Sequence, residues 1–409
     1  MFLRRVIRLP SVAIRRKKTD TKAPAAVDSQ QKEIDSQKNA ALECIKESQL
    51  VPQEKKVYAP LRSVNVTVIG ACNPKAYYLC TLLKLNPLIK ELRMYDESSM
   101  LRGIHLDIAQ ISSTARVIPF IGENQLKRAL YKTHLVVVTA PVEPKETSRT
   151  SNSAELFNAN KTKIKALCQE CIAHCPDAVL VITANPVNSM VPLIAEMFQQ
   201  QGVMCPTRII GSMALEEMRS RVLTAVSLGL DPATVHVDVI GGGTPQTAIP
   251  VVSGTKPGGT YLRNEFPKIK RVLENMTKEV FLNKKQSPSV SEAYAQSHLI
   301  SNVIKGLCGK PHPITSVFIR TSTLYGIKYL SVPVQFGLFG VYKNLGLPAL
   351  SNHEIEALDS VLYELQEDIT RGEEWAKPKD VINDDFYEPV EETGSSIAPT
   401  LPRCSHYTM

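Results

Sequence analysis

Two groups of residues have types and spacings that could do chemistry. The first is Gly70, Asn73, Ala76 and Asp96. Gly70 follows the β-branched run Val64-Asn65-Val66-Thr67-Val68-Ile69, and Asp96 closes the apolar run Leu92-Arg93-Met94-Tyr95. Between them lie a turn, Ala71 to Lys75, and a helical pattern of Leu79, Leu82 and Leu83 with Pro87 beyond. Strand, glycine turn, helix, strand and terminal acid make half of a dinucleotide-binding unit. The helix N-terminus would face a pyrophosphate and the acid would take the ribose hydroxyls. A G-x-x-G-x-x-G turn would have glycine at all three of positions 70, 73 and 76. Asn73 is expected to tolerate positive φ, and alanine is accepted at the third place. Pro74 suits a first helical position but has no N–H for a phosphate. An ordinary βαβ unit that holds no nucleotide is the alternative for the same residues. The second group is Cys168, Cys171, His174 and Cys175. Structural zinc sites usually draw on two loops, whereas these four share one helical pattern, so free cysteines on a buried face are expected and no metal.

The elements that must position these residues follow from periodicity. Leu101 to Ile111 is helical; Arg116 to Phe120 and His134 to Val138 read as strands; Asn158 to His174 is helical; Ala178 to Thr183 is a buried strand. Alternating strands and helices predict a Rossmann-like, doubly wound parallel sheet over 63–208, with ligands at the carboxyl ends of its strands. From Ile209 the pattern changes to a mixed α+β domain over 209–376. Its expected helices are Ala214 to Ser227, Pro267 to Leu282, Ser289 to Leu307 and Asn352 to Thr370. Its expected strands are Val235 to Ile240, Thr247 to Val252, Thr315 to Arg320 and Tyr329 to Phe336.

The 409 residues can bury a large core and are 43% hydrophobic and 22% charged, ordinary for a globular chain. Arg4, Arg5, Arg8, Arg15, Arg16, Lys17 and Lys18 match seven of the eight net positive charges, so the body is near neutral and nucleic acid is not an expected partner. Residues 1–19 contain no acid and mix arginine with Leu, Ile and Val, the composition of a mitochondrial transit peptide. A basic tail that binds an acidic surface is the alternative. Residues 20–62 are a polar extension expected to be partly disordered, and 377–409 an acidic, then Pro- and Ser-rich tail expected to be disordered. No apolar run is long enough to span a bilayer. Nine cysteines in so long a chain do not resemble a secreted disulfide framework.

With Thr183-Ala184-Asn185-Pro186-Val187-Asn188-Ser189, the chain resembles the mitochondrial-type malate dehydrogenases of the lactate/malate dehydrogenase family, from about Val64 to Trp375. Gly229-Leu230-Asp231-Pro232-Ala233, Val239-Ile240-Gly241-Gly242, Ala293-Tyr294-Ala295 and Lys343-Asn344-Leu345-Gly346 carry the same likeness. The resemblance implies a Rossmann domain followed by a lactate/malate dehydrogenase-type C-terminal domain, NAD as cofactor, and malate and oxaloacetate as substrates. Asn185 matches the asparagine that touches substrate and cofactor, and Arg219 the arginine that grips a substrate carboxylate. Glu216 stands where the aspartate orienting the catalytic histidine would be, and Gly243 stands where the histidine itself would be. Arg149 is the one arginine in a loop where the family has two.

Malate oxidation removes the C2 hydroxyl proton as hydride leaves, and a side chain titrating near neutrality does this for a factor of about 10²–10⁴. Glycine has no such group. The expectation is a malate dehydrogenase-like protein of the mitochondrial matrix, catalytically dead or severely impaired, with weakened NAD binding. It would act as a homodimer or as a heterodimer with an active malate dehydrogenase, through Leu101–Ile111 and Ala214–Ser227. The alternative is a working mitochondrial NAD-dependent L-malate dehydrogenase of the tricarboxylic acid cycle, acting on a small dicarboxylate.

Overall fold

A computed structural model describes residues 60–139, 153–284, 288–311 and 314–377. The leader, most of the 20–62 extension, the loop carrying Arg149 and the tail from 378 lie outside the described residues. The chain opens with β1 (Val64–Ile69), α1 (Pro74–Lys84), β2 (Ile89–Asp96), α2 (Leu101–Ala109) and β3 (Arg116–Ile121). There follow α3 (Leu126–Leu130), β4 (Leu135–Val138), α4 (Ser153–His174), β5 (Val179–Ile182), α5 (Val187–Gln200) and β6 (Ile209–Ser212). The second half runs α6 (Ala214–Leu228), β7 (Val239–Gly241), β8 (Ala248–Pro250), α7 (Phe266–Lys284) and α8 (Ser289–Leu307). It ends with β9 (Thr315–Leu324), β10 (Ile327–Gly337), β11 (Gly340–Asn344) and α9 (Asn352–Ala376).

The first six strands are parallel and stand in the order β3-β2-β1-β4-β5-β6. The order reverses between β1 and β4, which is where a doubly wound sheet opens a crevice at its carboxyl edge. β1, β4 and β5 read as near-continuous Val, Ile and Leu because helices cover both faces, and nearly all of their residues are buried. Antiparallel β9 pairs with β6 and continues the sheet through β10, β7 and β8, with β11 added to β10. α8 packs on α1, and α9 on α5.

One expected strand is shorter than its sequence pattern. The expected strand Val235 to Ile240 is paired as a strand only from Val239, with His236 in a lone bridge to Lys256. The ladder to β8 takes only Val239, Ile240 and Gly241, while Val235 and Val237 are buried outside it. α5 was not read from the sequence at all. Eleven of its fourteen residues are buried, and its polar residues Asn188, Ser189, Glu196, Gln199 and Gln200 share one side of the helix.

The crevice edge is laced by one hydroxyl. Thr139, just beyond β4, donates its Oγ1–H to Ile69 O at 2.5 Å, closing β1 onto β4 where they diverge. Gly70 has φ +77, and a Cβ there would lie 2.4 Å from that Oγ1. Gly122 has φ +84 and open space around it. Gly122→Ala should therefore cost only the backbone strain, about 1–2 kcal/mol. Gly70→Ala should cost that strain and also displace Thr139, a clearly larger loss. Urea unfolding of the two variants checks this; equal losses would show that Thr139 yields freely.

Candidate active site

The turn after β1 places the first candidate residues together and then uses up their hydrogen-bonding groups. The N–H groups of Gly70 and Ala71 both donate to Tyr95 O, at 3.0 and 3.1 Å. Cys72 N–H donates to Asp96 Oδ2 at 2.9 Å, and Asn73 N–H to Gly70 O at 3.1 Å. Pro74 has none. Lys75 N–H donates to Asn73 Oδ1 at 3.0 Å. Asn73 has φ −63 and ψ 135, so it is a helix cap in extended conformation and not the positive-φ residue its place in the glycine pattern led one to expect. Each donor from 70 to 75 thus has a partner in the chain itself, where a pyrophosphate would need donors of its own. Ala76 is fully buried, as close helix–strand packing at the third position requires.

Asp96 ends β2 half-buried, with Oδ1 accepting from Ser98 N–H at 3.0 Å. Each carboxylate oxygen still has a lone pair for a ribose hydroxyl. The Cys72 thiol beside it is pushed up to about 11, first by burial and then by the Asp96 charge, so it is a neutral thiol at physiological pH.

The side chain of Lys75 runs inward. Its Nζ lies 3.1 Å from Glu292 Oε1 and donates to Thr183 O at 3.4 Å. The lysine side chain is 2% exposed and the glutamate 10%. Gln296 Nε2 donates to the same Glu292 oxygen at 2.9 Å. Thr183 follows β5, so this pair crosses from the first turn of α1 to the carboxyl end of the second half of the parallel sheet. Asn185, two residues on, is exposed between buried neighbours.

Glu216 and Arg219 project from the first turns of α6, both buried. Arg219 donates Nη1–H to Thr277 Oγ1 at 2.6 Å and feels the charges of Glu216 and Glu292; burial lowers its pKa. The Glu216 carboxyl is pushed up to about 7, chiefly by burial, with Arg219 opposing and Glu292 adding to the rise.

Gly243 is held by Asn188, whose Oδ1 accepts from Gly243 N–H at 2.5 Å. Asn188 Nδ2 donates to Thr247 Oγ1 at 3.2 Å and Asp368 Oδ2 at 3.1 Å, and Thr244 and Thr247 hydroxyls meet at 2.7 Å. A Cβ on Gly243 would fall 2.8 Å from Val187 Cβ and 3.0 Å from its Cγ1. A side chain at this position would therefore have to displace Val187. Arg149 lies outside the described residues. Cys168 and Cys171 are buried on α4, Cys175 is buried just beyond its end, and no metal-ligating cluster occurs among the described residues. Lys75, Glu292 and Asn188 are the site residues that the sequence did not point to. For Lys75 there was one available signal: a cation in the first turn of a helix opposes the dipole.

Residues 64–211 match the family described as lactate/malate dehydrogenase, NAD binding domain, and residues 214–376 match its alpha/beta C-terminal domain. Mitochondrial malate dehydrogenases of Homo sapiens and Sus scrofa are each 32% identical over 317 residues, covering 77% of this chain and 92% of theirs. Among solved structures, the malate dehydrogenase of Cryptosporidium parvum superposes with a TM-score of 0.65 at 20% identity, covering 76% of this chain and 99% of its own. The lactate dehydrogenase of the same organism, complexed with lactic acid and nicotinamide adenine dinucleotide, gives 0.64 at 20% identity, covering 75% of this chain and 97% of its own.

A carboxyl whose pKa is raised on folding adds stability below its unfolded value and loses it as pH climbs through the folded one. For Glu216 that window runs from the ordinary 4.5 to about 7. The fall should be on the order of 3 kcal/mol for a shift of that size. Glu217, also pushed to about 7 by burial, adds to the trend. Urea unfolding at the two ends of the window should show the protein less stable at the upper end, with a smaller difference in Glu216→Gln. An unchanged difference in that variant would place the Glu216 pKa at its ordinary value.

Proposed function

The chain belongs to the lactate/malate dehydrogenase family, and from that premise we propose that it is a malate dehydrogenase-like protein relieved of turnover. It is a protein of the mitochondrial matrix that binds NAD weakly and works as a dimer partner, with a second copy or with an active relative. The observation that carries this reading is Gly243, which stands where the resemblance places the base and has Val187 packed against the space a side chain would need.

Neighbouring groups do not supply the missing proton acceptor. The Thr244 hydroxyl is hydrogen-bonded to Thr247, and a threonine hydroxyl is no base at neutral pH. His236 is bound to Asp238 at 3.1 Å, on the far side of the three strand residues that lead to the glycines. Weak NAD binding is supported by the turn, whose donors through Lys75 are already partnered, while Asp96 keeps the preference for an unphosphorylated ribose. Val226, 73% exposed on α6, and Leu106, 57% exposed on α2, give the two helices expected at a dimer interface an apolar surface to cover.

One observation favours a second reading. Glu216, with its carboxyl near 7, has the proton affinity of a general base, so a working enzyme that uses Glu216 in place of histidine is the rival. A steady-state assay of the full chain with oxaloacetate and NADH decides between them. The expected kcat/KM lies at least about 10²-fold below that of a mitochondrial malate dehydrogenase under the same conditions, the factor carried by the base. Comparable turnover that Glu216→Gln removes would establish the rival.

The targeting half of the reading has its own test. Residues 1–60 fused to a fluorescent reporter should carry it to mitochondria, and changing Arg4, Arg5, Arg8, Arg15 and Arg16 to Glu should abolish the transfer. A reporter that stays cytosolic behind the native segment would overturn it.

A further inference from the structure

A dinucleotide lies across the crevice of a doubly wound sheet with one nucleoside on each half. In this chain the half nearest β2 keeps the requirements of its nucleoside: Asp96 at the strand end with acceptor capacity to spare. The other half is different. There Lys75 enters from the first turn of α1, contacts Thr183 O at the carboxyl end of β5, and meets Glu292 from the first turn of α8. In the strand order, β4 separates β1 from β5, so the lysine bridges the crevice at the point where the second nucleoside would cross. The pair is shut away from water and Glu292 is further held by Gln296.

We propose that the Lys75–Glu292 ion pair is a built-in occupant of the distal half of the cofactor crevice, so that the site takes the adenosine-phosphate half of a dinucleotide and shuts out the second nucleoside. This rests on the reading of Val64 to Asp96 as a nucleotide site. A planar, uncharged ring needs an apolar wall and open space; here it meets two charges that satisfy one another and lose that partnership if either moves. Lys75 does not act as a phosphate-binding cation either, because its ammonium is turned to Glu292. The ligand class that fits is an adenine mononucleotide or ADP-ribose, bound through Asp96, for which a nicotinamide adds nothing.

The test compares ligands on one protein. NADH, ADP-ribose and AMP are titrated into the full chain, by calorimetry for all three and by fluorescence for NADH. NADH should bind no more than about twofold tighter than ADP-ribose, a difference close to thermal energy. Replacing both charges with side chains of similar length, Lys75→Met together with Glu292→Met, should raise the NADH preference over ADP-ribose by about tenfold or more. A wild-type protein that already prefers NADH by about tenfold overturns the proposal, as does a folded double variant with an unchanged ratio. So does a wild-type chain that binds none of the three at millimolar concentration, since the retained half is part of the claim. If the double variant does not fold, the wild-type ratio decides. A high NADH preference in a protein without turnover would overturn this inference and leave the proposed function standing; rapid oxaloacetate reduction would do the reverse to the function.

Discussion

A lysine ammonium held at 2% exposure can keep its charge only if a carboxylate is fixed beside it, and Glu292 at 3.1 Å is that carboxylate. The two residues are 217 apart in sequence, one at the start of α1 and one at the start of α8. Their pairing therefore ties the packing of α8 on α1 to the geometry of the crevice floor. Removing one member of such a pair typically costs about 3–5 kcal/mol, whereas replacing both by apolar groups of like volume is often neutral. The pair is thus a strong constraint on what may change singly and a weak one on what may change together. It also fixes a direction: the N-terminal end of α1 opposes a cation, while that of α8 favours an acid, so the lysine depends on the glutamate more than the reverse.

The turn above the pair obeys the same logic of internal satisfaction. Tyr95 O takes two N–H groups, Asp96 takes a third, and the Asn73 side chain takes a fourth at the start of α1. Gly70 persists for a reason that needs no ligand: its φ of +77 and its contact with Thr139 belong to the junction of β1 and β4. Asn73 is kept at its place by capping. The positions of a nucleotide fingerprint are occupied here by residues that also have structural roles of their own.

How much of this was legible beforehand depended on the range of the interaction. β1 begins and ends where its Val-rich run begins and ends, and Ser289 to Leu307 is the helix that its period indicates. Both are set by local pattern against a large core. β6 escaped because four residues, two of them Gly and Ser, carry too little pattern. At the site, Gly243 could be singled out from the motif around it, but the Val187 side chain that fills its space could not. The conformation of Asn73 was misread because a glycine pattern suggests φ, whereas the residue was chosen by its oxygen. Contacts such as Lys75 with Glu292 exist only once α8 is laid on α1, and nothing in either local sequence names the other.

Fold and chemistry are carried by different parts of the chain. β1 to β6 hold their register through backbone ladders and buried aliphatic side chains. Asn73, Lys75, Glu216 and Gly243 all sit beyond strand ends or in first helical turns, where a substitution alters no ladder. Lys75 and Glu216 contribute to the charge of the crevice. Arg219 has Glu216 and Glu292 as its nearest opposing charges, and Lys75 is paired with the same Glu292. Two cations are therefore set against two carboxyls, one of which titrates near 7. A dicarboxylate dianion binds where positive charge is in excess and desolvated, because only an unpaired cation gains more from the ligand than it loses in water. Among the described residues these four charges balance only once Glu216 is ionised, and a partial positive excess appears as it takes up a proton. Its groups satisfy each other first, Lys75 and Gln296 through Glu292 and Arg219 through Thr277, so any anion that enters must compete with contacts the chain itself supplies.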